Sequence, residues 1–411
     1  MLRIVVLTGL FLGIVTGLCA AADWPQWRGP TRDGMVAASP AWPSSLKGVD
    51  PVWRVPMGRG YSGPVVVGDR VFTVETEGDK EIVRSLDLAT GKQLWQAQWE
   101  GQMSVPFFAR RNGSWVRATP ACDGQTLFVA GMRDVLVALD VQTGRVNWHV
   151  DFVERYKSPL PSFGFVCSPL VIGDALYVQA GASFVKLDKQ TGQTIWRTLE
   201  DGGGMWGSAF SSPMLATLAG QRQLLVQTRT ILAGVEEAGG KVLWSVKVPA
   251  FRGMNILNPT AVGDAVFTSS YGGGTFLFKV SPGDGSLVVS QSWKTELEGY
   301  MSTPIVIDGH AYLHGRDKRF HCVRLSDGSV VWQSKEKFGE YWSLVSDGRQ
   351  LLALDQKGEL LLIRPSADKF DLVDRKSLTE EETWAHLAVV DDLLLVRELK
   401  AMTVYRWTRG R

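Results

Sequence analysis

The chain has 411 residues and carries 44 Lys plus Arg against 42 Asp plus Glu, a formal charge of +2. That balance excludes a general electrostatic grip on nucleic acid or on an anionic membrane. With 45% apolar and 21% charged residues the composition excludes intrinsic disorder, and 44 glycines beside 16 tryptophans point to an all-β chain of tight turns.

Residues 1–22 read as a cleavable export signal. Arg3 is the positive start, Ile4 to Leu18 an apolar run, and Ala20-Ala21-Ala22 a small-residue cleavage site before Asp23. The run is too short for a transmembrane span and no second one follows. Leu18 ahead of Cys19 is not the small residue that lipid attachment needs. Export would permit disulfides, but Cys122, Cys167 and Cys322 are an odd set without a close pair, and they read as buried free thiols.

Residues 23–50 form an extension, and deleting 23–38 is expected to be tolerated much better than deleting 23–56, which would remove the closing strand. From residue 51 a repeat begins. Its phrase reads Leu86-Asp87, then Thr90-Gly91, then Trp95, and it returns as Leu139-Asp140, Thr143-Gly144, Trp148 and as Leu187-Asp188, Thr191-Gly192, Trp196. A fourth copy ends Gly240, Trp244 with Glu236 in place of Asp. A fifth, Asp284-Gly285, has Val289 at the Trp position, and a sixth, Asp327-Gly328, restores Trp332. The loss at Val289 predicts a weaker junction there.

A small or polar residue plus Pro opens each β-rich run: Gly63-Pro64, Thr119-Pro120, Ser168-Pro169, Ser212-Pro213, Asn258-Pro259 and Thr303-Pro304. Pro is tolerated at the first residue of a strand because its missing N–H need not join the ladder. Hairpin turns such as Gly68-Asp69, Gly173-Asp174 and Asp308-Gly309 follow. Degenerate copies at 343–364 and 385–407 bring the series to eight units of about 50 residues, the size of four-stranded propeller blades. The expected fold is an eight-bladed β-propeller over 51–411, with strand 51–56 completing the last blade and Trp53 in the place of the repeated Trp.

The Asp-x-x-Thr-Gly-x-x-x-Trp phrase resembles the tryptophan-docking motif of the pyrroloquinoline-quinone-like (quinoprotein-like) propellers. The opening Asp23-Trp24-Pro25-Gln26-Trp27-Arg28-Gly29-Pro30 resembles the start of secreted, uncharacterised members. The resemblance implies that Trp53, Trp95, Trp148, Trp196, Trp244 and Trp332 dock each blade on its neighbour. It also raises a quinone-dependent alcohol or sugar dehydrogenase, which would bind pyrroloquinoline quinone (PQQ) and calcium and use an Asp base. Here no adjacent Cys-Cys pair exists, no acid is marked as the base, and no oxygen-ligand cluster announces calcium. No cofactor is therefore expected.

Phosphate-binding loops and serine-nucleophile elbows are absent. His314 and His321 would face each other if Asp317-Lys318 made a two-residue turn, but two histidines are a poor zinc set, and they read as surface residues of a hairpin. What remains is an aromatic and basic population in the loops between blades, which a propeller gathers on one face: Tyr61, Arg110, Arg111, Trp115, Phe165, Trp206, Tyr300 and Trp342. The insert 101–117, with Phe107, Phe108, Arg110 and Arg111, is the first choice for partner contact. The expectation is an exported, monomeric, non-catalytic scaffold of the cell envelope that binds a protein or a glycan at this face. The alternatives are the dehydrogenase and a glycan-binding module.

Overall fold

The computed structural model describes residues 23–36, 42–203 and 210–407. Residues 1–22, expected to be an export signal, and Trp206 lie outside the described residues. Thirty-two strands form eight sheets, each of four antiparallel strands. Blades 1 to 7 span 65–100, 121–151, 170–198, 214–247, 260–295, 305–333 and 342–377. Blade 8 takes three strands from 388–407, and its outer strand is Val49–Pro56, from the far end of the chain. Pairing runs from Val49 opposite Trp407 to Pro56 opposite Ala401, so the closing strand begins two residues before the expected Pro51.

Burial follows the position of each strand in its blade. The inner strands are short and apolar, as in Val65–Val67, because both faces meet protein. The outer strands alternate, as in Gln93–Glu100, because one face meets water.

The repeated phrase builds the joint between blades. In blade 2 the Asp140 carboxylate accepts from the Thr143 backbone N–H at 2.8 Å and from its hydroxyl at 2.7 Å, which closes the turn. Those hydrogen bonds, the hydroxyl's first, hold the Asp140 carboxyl below its usual range. Gly144 follows at φ +71, and a Cβ there would stand 2.5 Å from the ring of Trp95 in blade 1. Glycine is thus required twice, for the left-handed backbone and for the ring lying on it. The Trp95 indole N–H then donates to the Val141 carbonyl at 2.8 Å. Trp53, Trp148, Trp196 and Trp332 donate in the same way to Leu88, Lys189, Ala238 and Ser366 of the next blade.

Three junctions differ from the spacing rule. In blade 5 the outer hairpin strands are nine residues each, Gly274–Pro282 and Leu287–Thr295. The docking residue is therefore Trp293, four residues beyond Val289; a bulge just before it turns it to the opposite strand face, toward blade 6, while Val289 faces blade 4. Its N–H donates to the Leu325 carbonyl at 2.7 Å, and its ring lies under Gly328. The expected weak junction at Val289 is filled. The same long hairpin carries Gly285 away from blade 4, so nothing lies within 4 Å of a Cβ built there. Trp244 is buried against blade 5 with Phe276 and Phe278, but its N–H turns back to Gln223 of its own blade. Between blades 7 and 8 the outer strand Asp371–Ser377 has no Trp, and the N-terminal extension fills the gap. Leu46 is fully buried, Trp42 packs on Trp407 with ring centroids 6.3 Å apart, and Asp374 accepts from Ser45 Oγ and Leu46 N, both at 2.7 Å.

The thiols of Cys122, Cys167 and Cys322 are free and buried. His314 and His321 are also buried, which corrects their reading as surface residues. His321 pairs with Leu313 and His314 with Phe320, because Gly315 to Arg319 form a wider turn than two residues. His314 stacks on Trp342 and His321 Nε2 meets Asp317 Oδ1 at 3.0 Å.

Removing a docking ring tests these assignments. Trp148→Ala and Trp293→Ala should each cost about 3–5 kcal/mol, and Val289→Ala about 1 kcal/mol or less. Denaturant midpoints of the three variants decide it; an unshifted midpoint for Trp293→Ala would contradict the docking at blade 5.

Candidate functional site

The residues before the prolines line the channel and join the blades into a girdle. The Gly63 N–H donates to Thr119 Oγ1 at 3.0 Å, Thr119 N–H to Ser168 Oγ at 3.0 Å, and Ser168 N–H to Ser212 Oγ at 2.9 Å. Ser212 N–H continues to Asn258 Oδ1 at 3.1 Å and Asn258 N–H to Thr303 Oγ1 at 3.2 Å. Each side chain thus takes the N–H of the equivalent residue in the preceding blade. The sense reverses afterwards, with Trp342 N–H on Ser302 Oγ and Leu387 N–H on Ser343 Oγ. Thr119, Ser168, Ser212, Asn258 and Thr303 are polar because each must reach across and accept, whereas Gly63 only donates its N–H.

The girdle leaves carbonyls pointing into the channel, and residues 23–36 supply their donors. Trp24 bridges to Val66 of blade 1, Pro25 accepts from Cys122 of blade 2, and Gly34 accepts from Ser346 of blade 7. Between them Arg28 donates to the Thr303 and Pro304 carbonyls at 2.8 and 2.9 Å. Arg32 donates to those of Ser168 and Pro169 at 3.0 and 2.6 Å. Burial lowers both guanidinium groups to about 10, which still leaves them charged at neutral pH. Residues 23–36 are thus a plug that spans the ring.

Above the plug, at the end of the channel where the loops between blades gather, lies a cavity of about 310 Å³. Trp27 forms its floor, edge-on to His386 at 5.7 Å, with Arg28 and Arg32 over its ring at 5.5 and 5.7 Å. Tyr61 and Trp384 stack at 5.2 Å on one side, and Phe163 lies 5.5 Å from Phe210 on the other. Arg111 and Arg117 bring positive charge to the wall. Burial pushes His386 down to about 3, so its imidazole is neutral.

Of the residues proposed for this face, Tyr61, Arg111 and Tyr300 line the cavity. Trp115 stands behind Tyr61 with Arg59 over its ring at 5.2 Å. Arg110 is exposed on the short helix Phe107–Asn112, next to Phe107, which is 78% exposed. Two proposed residues belong to the core instead. Trp342 is 1% exposed and packs on Phe320 and Phe338 with its N–H on Asp355, and Phe165 is 2% exposed against Phe152. They sit near the start of inner strands, where the chain has already turned inward. Trp27, Trp384 and Tyr341 complete the wall; the first was unmarked because nothing in the sequence shows that the extension folds back into the ring.

The quinone and calcium implied by the fold do not fit these residues. The described wall contains no Asp or Glu. Glu340 and Glu382 lie in an adjoining depression and are engaged elsewhere, Glu340 by Arg111 at 3.4 Å and Lys318 at 3.3 Å, Glu382 by Tyr61 at 3.2 Å and Gln356 at 3.3 Å. Among the described residues no three His, Cys, Asp or Glu converge as metal ligands. Cations stand where calcium would need oxygens.

A family model described as outer membrane protein assembly factor BamB matches residues 79–334, and the chain belongs to that family. The BamB of Yersinia pestis is 22% identical over 87% of this chain and 88% of its own length. That of Shewanella oneidensis is 24% identical over 77% of this chain and 69% of its own. Among solved structures, BamB from Moraxella catarrhalis superposes with a TM-score of 0.63 at 15% identity, covering 88% of this chain and 99% of its own. The quinohemoprotein alcohol dehydrogenase of Comamonas testosteroni gives 0.51 at 13% identity, covering 94% and 80%. These two structures share the propeller fold with the chain.

The plug predicts its own measurement. Arg28→Ala with Arg32→Ala removes a charged donor from four buried carbonyls and should cost about 2 kcal/mol or more, seen as a lowered melting temperature. Deleting 23–36 should cost more still. A deletion that melts like the full-length protein would show that the ring does not need the plug.

Proposed function

We propose that this BamB-family chain is an exported, non-catalytic propeller that docks a polypeptide partner at its cavity face in the cell envelope, in the assembly of outer-membrane proteins. The observation that carries the reading is the chemistry of that face. An aromatic wall with two arginines and no carboxylate is joined by an exposed finger of Phe107, Phe108, Arg110 and Arg111. Aromatic side chains and arginine are the groups that dominate protein interfaces. Phe108 packs edge-on to Phe163, but Phe107 meets only Phe108 of its own helix, so packing does not explain its exposure.

Catalysis of the quinone type needs a positioned base and a cation-binding oxygen set, and the wall supplies aromatic rings and arginines instead. The glycan reading is supported by the rings alone. The Asn258 amide is committed to Ser212, which accepts from it at 2.6 Å.

Photoreactive residues at Phe107 and Arg110, with controls at Asp69 and Asp174 on hairpin turns of the opposite end, test the docking in cells. Adducts to an outer-membrane assembly component are expected from the first pair alone. Equal adducts from both ends, or none from the finger, would overturn it. Arg110→Ala with Arg111→Ala should weaken binding with less than a degree or two of change in melting temperature, as befits exposed side chains. Calcium-dependent dye reduction with any alcohol or sugar, by protein incubated with the quinone, would overturn the non-catalytic reading.

A further inference from the structure

The cavity beneath the docking rim has its own chemistry. Its volume of about 310 Å³ is at the small end of ligand pockets and suits a ring-sized molecule. The floor and sides are rings: Trp27, Tyr61, Tyr341, Trp384, Phe163 and Phe210. Flat apolar groups stack on such walls.

Two buried donors of the wall lack acceptors, and the neutral His386 leaves its Nε2 unpartnered beside them. The Arg117 guanidinium reaches the Gly113 carbonyl through one terminal nitrogen, but its Nε is buried without an acceptor. The Trp384 indole nitrogen is likewise buried without one. Arg111 adds a cation at the rim, shared with Glu340 at 3.4 Å. A buried donor left without an acceptor is destabilising, so an incoming acceptor is favoured, and an anionic one most of all. No Asp or Glu in the described wall would repel it.

We propose that this cavity binds a ring-sized organic acid, a single aromatic or similarly flat apolar ring bearing a carboxylate. The ring lies on Trp27 between the Tyr61–Trp384 stack and the phenylalanines, and the carboxylate meets Arg117, Arg111 and the Trp384 N–H. The binding needs no metal. A neutral sugar matches the wall poorly, because its hydroxyls would bring further donors to a site already short of acceptors. The same chemistry is presented by a free acid and by the terminal residue of a polypeptide. Because Trp27 comes from the plug, the site is complete only when residues 23–36 are seated.

The test uses the mature protein in the presence of a chelator, with tryptophan fluorescence and calorimetry as readouts. The probes are 3-phenylpropionate, its primary amide, glucuronate, and the tripeptide Gly-Gly-Phe with a free C-terminus. The acid should bind at least about tenfold tighter than the amide, the penalty of losing a charge-assisted contact. Glucuronate should bind more weakly than the acid. Arg111→Ala, an exposed position, should weaken the acid about fivefold and leave the amide unchanged. Trp27→Phe should weaken both while keeping the fold, and saturating acid should raise the melting temperature. A tripeptide that binds tighter than the free acid assigns the ligand to a chain end, and the converse to a free acid; either outcome supports the site. Equal binding of acid and amide, no binding of either, or tighter binding of glucuronate would overturn it. Cross-links from Phe107 and Arg110 report on the rim alone, so failure there and failure in the cavity are told apart.

Discussion

Ring closure is the constraint on which the rest of this molecule depends. A four-stranded blade has two apolar faces and cannot bury them by itself, so every blade is stable only between two neighbours. The joint is made at two radii. At the outside, an indole lies on the turn of the next blade and donates to its backbone. At the inside, a Ser, Thr or Asn side chain takes the backbone N–H of the blade before it. The two contacts fix the angle between blades from both ends. A change in hairpin length is absorbed by moving the indole four residues along the strand, as at Trp293, which leaves the ring geometry intact.

The N-terminal segment closes the ring in three ways. Its strand Val49–Pro56 pairs with the last strand of the chain, Leu46 and Trp42 fill the one junction without an outer Trp, and residues 23–36 fill the channel. Arg28 and Arg32 are buried charges without a carboxylate partner. Three carbonyls for Arg28 and two for Arg32, plus the ring of Trp27, offset their desolvation.

That arrangement also sets the chemistry of the cavity. The plug brings Trp27 and two guanidinium groups to the base of the cavity, and His386 beside it is neutral through burial and the nearby Arg28. Carboxylates are present only one depression away, already held by Arg111, Lys318, Tyr61 and Gln356. The mouth is thereby an aromatic and cationic surface, suited to binding.

The fold was legible in the sequence because its signals are local. Asp, Thr, Gly and Trp of one repeat lie within nine residues, and each is required by a single turn and the ring upon it, so the phrase survives in the chain as a period. Closure by the first strand was legible for the same reason, since Trp53 carries the pattern. The tertiary structure alone decided what depends on distant segments meeting. Nothing near Val289 announces that a longer hairpin hands its role to Trp293. Nothing around Trp342 or Phe165 separates an aromatic that faces the core from one that faces the mouth, because both types follow the same loops. The purpose of the residue before each Pro became visible only when its partner, some 45 residues away, was placed beside it. The cavity is the extreme case. Its floor, walls and charges come from the N-terminal segment and from loops of blades on both sides of the ring, and no local pattern couples residues that meet only when the circle closes.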